Sequence, residues 1–228
     1  MKKTTLVALL LLSTQCFANS IKDSLNNIES EWASIYYSKS NSNKSRAYNH
    51  LLDKIIALSE QHTDNAELIF WQAVVKATNA DHQDALAALN SVKDARKLLA
   101  KAIEINPKTM NGSAYVTLGT LYYMVPKWPI AFGDEQTAQK MLAIALQINP
   151  NGIDSNYFYG KFLLSQNKSD EAAKYFERAV KAPARNEQLY ADSQLKTEAS
   201  LALKNAKEQK VGTSKNLFLS LFSSATLK

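Results

Sequence analysis

Three stretches of the chain share one wording: Lys101-Ala-Ile-Glu-Ile-Asn-Pro107, Ile144-Ala-Leu-Gln-Ile-Asn-Pro150 and Arg178-Ala-Val-Lys-Ala-Pro183. Each closes a longer pattern. Ala95, Leu99, Ala102 and Pro107 recur as Ala138, Leu142, Ala145 and Pro150, then as Ala172, Phe176, Ala179 and, one place early, Pro183. Two alanines seven apart with a large residue between them lie on one helix face. The small side chains let a neighbouring helix approach closely. Proline has no N–H to donate and ends the segment.

Each of these helices has a partner upstream. The clearest are Tyr115-Val-Thr-Leu-Gly119-Thr-Leu-Tyr122 and Asn156-Tyr-Phe-Tyr-Gly160-Lys-Phe-Leu163. A glycine inside a helix costs about 1 kcal/mol relative to alanine. Two glycines at one repeat position therefore call for a steric reason, which is tight packing of the paired helix. Leu68-Ile-Phe-Trp71-Gln-Ala73-Val-Val-Lys76 is a looser version, with Ala73 in the glycine place.

The pattern resembles the tetratricopeptide repeat, W-x₂-L-G-x₂-Y…A-x₃-F…P with a 34-residue period. Tyr115, Leu118, Gly119 and Tyr122 match its first helix, and Ala138, Leu142, Ala145 and Pro150 its second. Two departures stand out. Residues around Asp81–Val92 lengthen the second helix of the first unit, and Met124–Gly133 is inserted inside the second unit. The resemblance implies an all-α, right-handed α-solenoid of antiparallel helix pairs with a C-terminal capping helix. It is specific for fold and says little of function.

Outward from this centre the same periodicity continues. Residues 19–64 read as an N-terminal helix pair, a degenerate repeat or a cap. Leu25, Ile28, Trp32 and Ile35 share one face, as do Tyr48, Leu51, Ile55 and Leu58. Residues 65–184 hold three repeat-like units. Residues 185–211 give a helix that covers the open end of the stack, as repeat proteins require, with Gly212 as its stop. Residues 212–228 form an apolar tail, too short to span a membrane and expected to dock on the stack.

The start of the chain reads as an address. Lys2 and Lys3 precede an apolar run, Leu6–Leu12, and small residues lead to Ala18. Residues 1–18 are expected to be a signal peptide, cleaved near Ala18, that sends the chain to the periplasm. A lipid-modified Cys16 is the lesser alternative, since Gln15 and Ser13 break the usual lipoprotein pattern. Cleavage after Ala18 would leave no cysteine, and no transmembrane segment is expected after it.

Composition narrows the function. Glycine (6) and proline (5) are too scarce for a turn-rich β protein. The formal charge is +6, or +4 without Lys2 and Lys3, and it is spread along the chain. No basic stripe of the kind that binds nucleic acid is visible. His50, His62 and His82 have no companions at metal-ligand spacing, and neither a nucleophile elbow nor a phosphate loop occurs. Asp134/Glu135 and Asp170/Glu171 begin helices, where negative charge offsets the macrodipole. The expectation is a binding protein, not an enzyme, with no cofactor and no metal.

Two groups of residues are the candidate contacts. In the repeat family the first helices line a concave groove. The positions this implies are Phe70 and Val74; Val116, Thr120 and Tyr123; and Asp154, Tyr157 and Lys161. The second group is the insert, where Pro126 and Pro129 stiffen a loop bearing Trp128 and Phe132. Those rings either meet a partner or fold back to fill a gap between helices. The Trp-Pro…Phe-Gly-Asp insert also resembles the periplasmic T-component proteins of TRAP solute transporters, which are thought to associate with a solute-binding partner. A protein partner is the first expectation, and a small apolar or anionic ligand the second.

Overall fold

The computed structural model describes residues 21–38 and 43–208. The expected signal segment with Cys16, Gly212 and the apolar tail lie outside them. Among the described residues the regular structure is helical. Helix α1 runs over residues 21–37. It is followed by α2 (Lys44–Gln61), α3 (Ala66–Asn79), α4 (Ala85–Ile105), α5 (Ser113–Met124), α6 (Glu135–Ile148), α7 (Ile153–Ser165), α8 (Ser169–Lys181) and α9 (Leu189–Lys207). From α2 to α9 each packs on the next, so the chain is a TPR-like all-α solenoid.

Local chemistry sets the boundaries. Asn65, Asp84 and Asp134 cap α3, α4 and α6 by accepting hydrogen bonds from the backbone N–H of Leu68, of Leu86 and Ala87, and of Thr137. Asp170 and Glu171 lie in the first turn of α8 and Arg178 and Lys181 in its last, so both ends suit the helix dipole. The helices α4, α6 and α8 stop at Ile105, Ile148 and Lys181, each two residues before a proline.

The small–large–small faces are where the stack is held together. Ala95, Leu99, Ala102, Ala138, Leu142, Ala145, Ala172, Phe176 and Ala179 are all fully buried. The two repeat glycines have the steric reason the sequence asked for. A Cβ at Gly119 would lie 2.7 Å from Leu142 Cγ, and one at Gly160 would lie 2.7 Å from Phe176 Cε1. Ala73, at the equivalent place in α3, is also fully buried. Each glycine thus lets its helix press against the large residue of its partner.

The lengthened second helix proves to be two features. A short turn, Ala80–His82, follows α3, and α4 then runs for 21 residues from Ala85. His82 is the last residue of that turn. It is half-buried and stacks on Tyr48 with ring centroids 5.9 Å apart, and burial lowers its pKa, as does the charge of Lys44.

The insert is an ordered loop. Asp134 N–H donates to Tyr122 O (2.8 Å) and Gly133 N–H to Pro126 O (2.9 Å), which closes it at the base. A side chain at Gly133 would collide with the Val125 carbonyl oxygen, so glycine is required there. The two rings behave differently. Phe132 packs back, edge-on to Tyr122 at 5.4 Å and beneath the Arg96 guanidinium at 4.5 Å. Trp128 stands out, 85 % exposed.

Candidate functional site

The first helices of successive pairs share the concave side. Between α1, α3, α5, α7 and α9 lies a pocket of about 290 Å³, near the lower limit for small-molecule sites. Its middle is apolar: Trp32, Phe70, Trp71, Val74, Val116 and Phe158 line it. Trp32 meets Trp71 at 5.7 Å, stacks on Tyr36 at 5.1 Å, and donates its indole N–H to Thr78 Oγ1 (3.3 Å). Tyr36 keeps 40 % of its surface accessible while lining the pocket.

The two outer helices, α1 and α9, both line the pocket and touch one another. Tyr37 of α1 meets Tyr190 of α9 edge to face at 6.1 Å. Near the start of α9, Asp192 is 1 % exposed and accepts from Arg185 three times: backbone N–H (2.7 Å), Nε (3.1 Å) and Nη2 (2.6 Å). Charge-assisted, bidentate pairing of this kind holds the turn before α9 firmly. A second cleft, about 220 Å³, shares Glu29, Met110, Arg185 and Gln188 with the pocket and adjoins it.

Of the positions named from sequence, Phe70, Val74, Val116, Thr120 and Asp154 line the pocket. Asp154 accepts from Ser113 Oγ and from the Ser155 N–H (2.8 Å). The others sit elsewhere. Tyr157 is buried in the α7–α9 core, edge-on to Phe158 at 5.1 Å, and donates its hydroxyl to Glu198 Oε2 (3.0 Å). Tyr123 is half-buried and packs edge-on to Phe162 at 5.7 Å. Lys161 is half-buried beside Glu198, with burial lowering its pKa and the carboxylate opposing that fall. Trp128 and Phe132 belong to the insert.

Sequence reasoning did not assign a pocket role to Trp32, Tyr36 and Tyr37 of α1, or to Asp81, Asp192 and Glu198. Tyr36-Tyr37, two adjacent rings at a helix end, was the visible signal on α1. Nothing marked Glu198, because α9 follows no repeat pattern. Among the described residues there is no cluster of three or more His, Cys, Asp and Glu placed to hold a metal ion, and no helix is long and apolar enough to cross a membrane.

The glycine-on-large-residue contacts, the proline-ended second helices and the concave pocket define a TPR-like helical-repeat protein. No protein-family model and no curated protein matches the chain. Solved structures that resemble it include two of MamA. One has a TM-score of 0.43 at 19 % identity, covering 78 % of this chain and 99 % of that one. The other has a TM-score of 0.42 at 18 % identity, covering 82 % and 96 %.

Proposed function

We propose that the protein is an exported helical-repeat binding module that recognises a protein partner by taking side chains of that partner into the concave pocket. The observation that carries this reading is the pocket itself: aromatic walls from α1, α3 and α7, with α9 along one side, on the face where repeat proteins of this type present their first helices. Anchoring of a partner by a few side chains in a desolvated pocket is a common way for interfaces to gain affinity. Export to the periplasm is supported by Lys2, Lys3, the run Leu6–Leu12 and the small residue Ala18.

A photo-crosslinking residue at Val74, inside the pocket, tests the reading. The expected result is a discrete protein adduct in the periplasmic fraction, absent when the same residue replaces Leu86, which is 70 % exposed on α4 away from the pocket lining. Equal adducts from both positions, or none from Val74, would remove the pocket from the function.

A second reading has its own support. A pocket of about 290 Å³ with aromatic walls suits a free small molecule, taken up as an accessory to solute transport. A saturable rise in melting temperature with a small ligand alone, and no protein adduct, would favour it.

A further inference from the structure

Among the described lining residues of the pocket, five carboxylates face one guanidinium: Glu29, Asp81, Asp154, Asp192 and Glu198 against Arg185. Glu29, Asp154 and Asp192 lie near Arg185, and Asp81 and Glu198 act on Tyr36 instead. Helices α1, α3 and α5 run in the same direction, so their C-termini lie toward one end of the slot, which the start of α9 also reaches through Tyr190. There α3 finishes at Asn79 and α5 at Met124, and the last-turn carbonyls add partial negative charge. Asp81 follows α3 directly, Tyr36 and Tyr37 close α1, and Glu198 comes across from α9. Asp81, Glu198, Tyr36 and Tyr37 all line the pocket, and after burial itself the charges of Glu198 and Asp81 help to raise the Tyr36 hydroxyl.

The carboxylates of this pocket differ in how they are satisfied. Asp192 is held by Arg185, Asp154 by Ser113, and Glu198 by the Tyr157 hydroxyl with Lys161 nearby. Asp81 is the exception. Its Oδ1 is buried and accepts no hydrogen bond. A buried carboxylate oxygen without a donor costs stability. Aromatic faces beside carboxylates are a recognised setting for cations, since ring quadrupole and charge pull the same way.

We infer that the pocket takes an organic cation: an ammonium or guanidinium group seated near Asp81 and Glu198 against the rings of Tyr36 and Tyr37, with an apolar body lying along Trp71 and Val74. The inference rests on the reading of the pocket as the binding site and specifies its chemistry. It runs against an anionic guest, which the lining would repel. The cation has two sources, a free amine or a lysine or arginine side chain of a partner segment.

Titration calorimetry on the purified protein separates these ideas. Three probes of one size are used: phenethylammonium, 2-phenylethanol and phenylacetate. A blocked Leu-Lys-Leu peptide is compared with blocked Leu-Glu-Leu. The expected result is saturable binding of the ammonium, at least tenfold weaker binding of the alcohol, and none of phenylacetate. Asp81→Asn should weaken the ammonium at least tenfold and leave the alcohol unchanged, in a variant whose melting temperature shows it folded. Tighter binding of the lysine peptide than of phenethylammonium assigns the cation to a protein partner; the reverse assigns it to a free amine. If the alcohol or phenylacetate binds as tightly as the ammonium, or if Asp81→Asn changes nothing, the cation is wrong while the pocket stands. If no probe saturates, both go.

Discussion

Tyr37, near the end of the first described helix, lies edge to face against Tyr190, near the start of the last, with ring centroids 6.1 Å apart. The two residues are separated by seven intervening helices, so the stack curves far enough for its ends to touch. An edge-to-face pair of this kind contributes about 0.5–1.5 kcal/mol beyond the area it covers. Tyr190→Ala is therefore expected to cost no more than about 1 kcal/mol globally, because Tyr190 is 51 % exposed. Amide hydrogen exchange should quicken in α1 and α9 and stay unchanged in α3 to α6. Uniform exchange rates in both proteins would mean that the two ends do not support one another.

Replacing the repeat glycines runs against helix propensity. Alanine is the better helix former by about 1 kcal/mol, so Gly160→Ala would stabilise an ordinary helix. Here the added methyl lies 2.7 Å from Phe176 Cε1, and at Gly119 it lies 2.7 Å from Leu142 Cγ. Overpacking of this type costs about 1–3 kcal/mol, and the net effect is expected to be destabilising at both positions in urea unfolding. A stabilised Gly160→Ala protein would show that the close approach of the helices is not what the glycine provides.

Asp81 gives the stability of the protein a pH dependence of known sign. Burial raises its carboxyl from 3.8 to about 6, so the folded chain holds the proton more tightly than the unfolded one. The stabilisation is fully present below pH 4, falls as pH rises, and is lost above about pH 6. Its size is at most about 3 kcal/mol. Asp81→Asn should therefore melt higher than the parent protein at pH 7.5, with the gap closing by pH 4. A gap that persists at pH 4 would point to a packing effect instead.

The two rings of the insert should part company on mutation. Trp128 is 85 % exposed, and Trp128→Ala is expected to shift stability by less than about 0.5 kcal/mol. Phe132 packs on Tyr122 and under Arg96, so Phe132→Ala should cost several times more, approaching the 3 kcal/mol typical of a buried ring. Thermal denaturation of the pair decides it. Equal losses would place Trp128 in the fold after all.

The fold was legible because it is written locally. Alanine, leucine and glycine at matched places report helix–helix distance directly, and Ala138, Leu142, Gly119 and Gly160 all occupy the contacts that their spacing implied. The pocket was half legible for the same reason. Phe70, Val74, Val116, Thr120 and Asp154 stand in repeat register and line it. Tyr157 and Lys161, read from the same register, were instead drawn to Glu198. That residue sits on a helix outside the repeat, and no local pattern could announce it. Trp32, Tyr36 and Tyr37 escaped notice because their contribution depends on how far the stack curls, which is a sum over every interhelical angle.

A row of repeats with free ends can gain or lose a unit and remain the same kind of object. A row whose ends meet cannot. One more helix pair between α1 and α9 would part Tyr37 from Tyr190 and widen the pocket that α1 and α9 both line; one fewer would drive them together. Duplication, the ordinary route by which such chains diversify, would here break the contact between the first and last described helices.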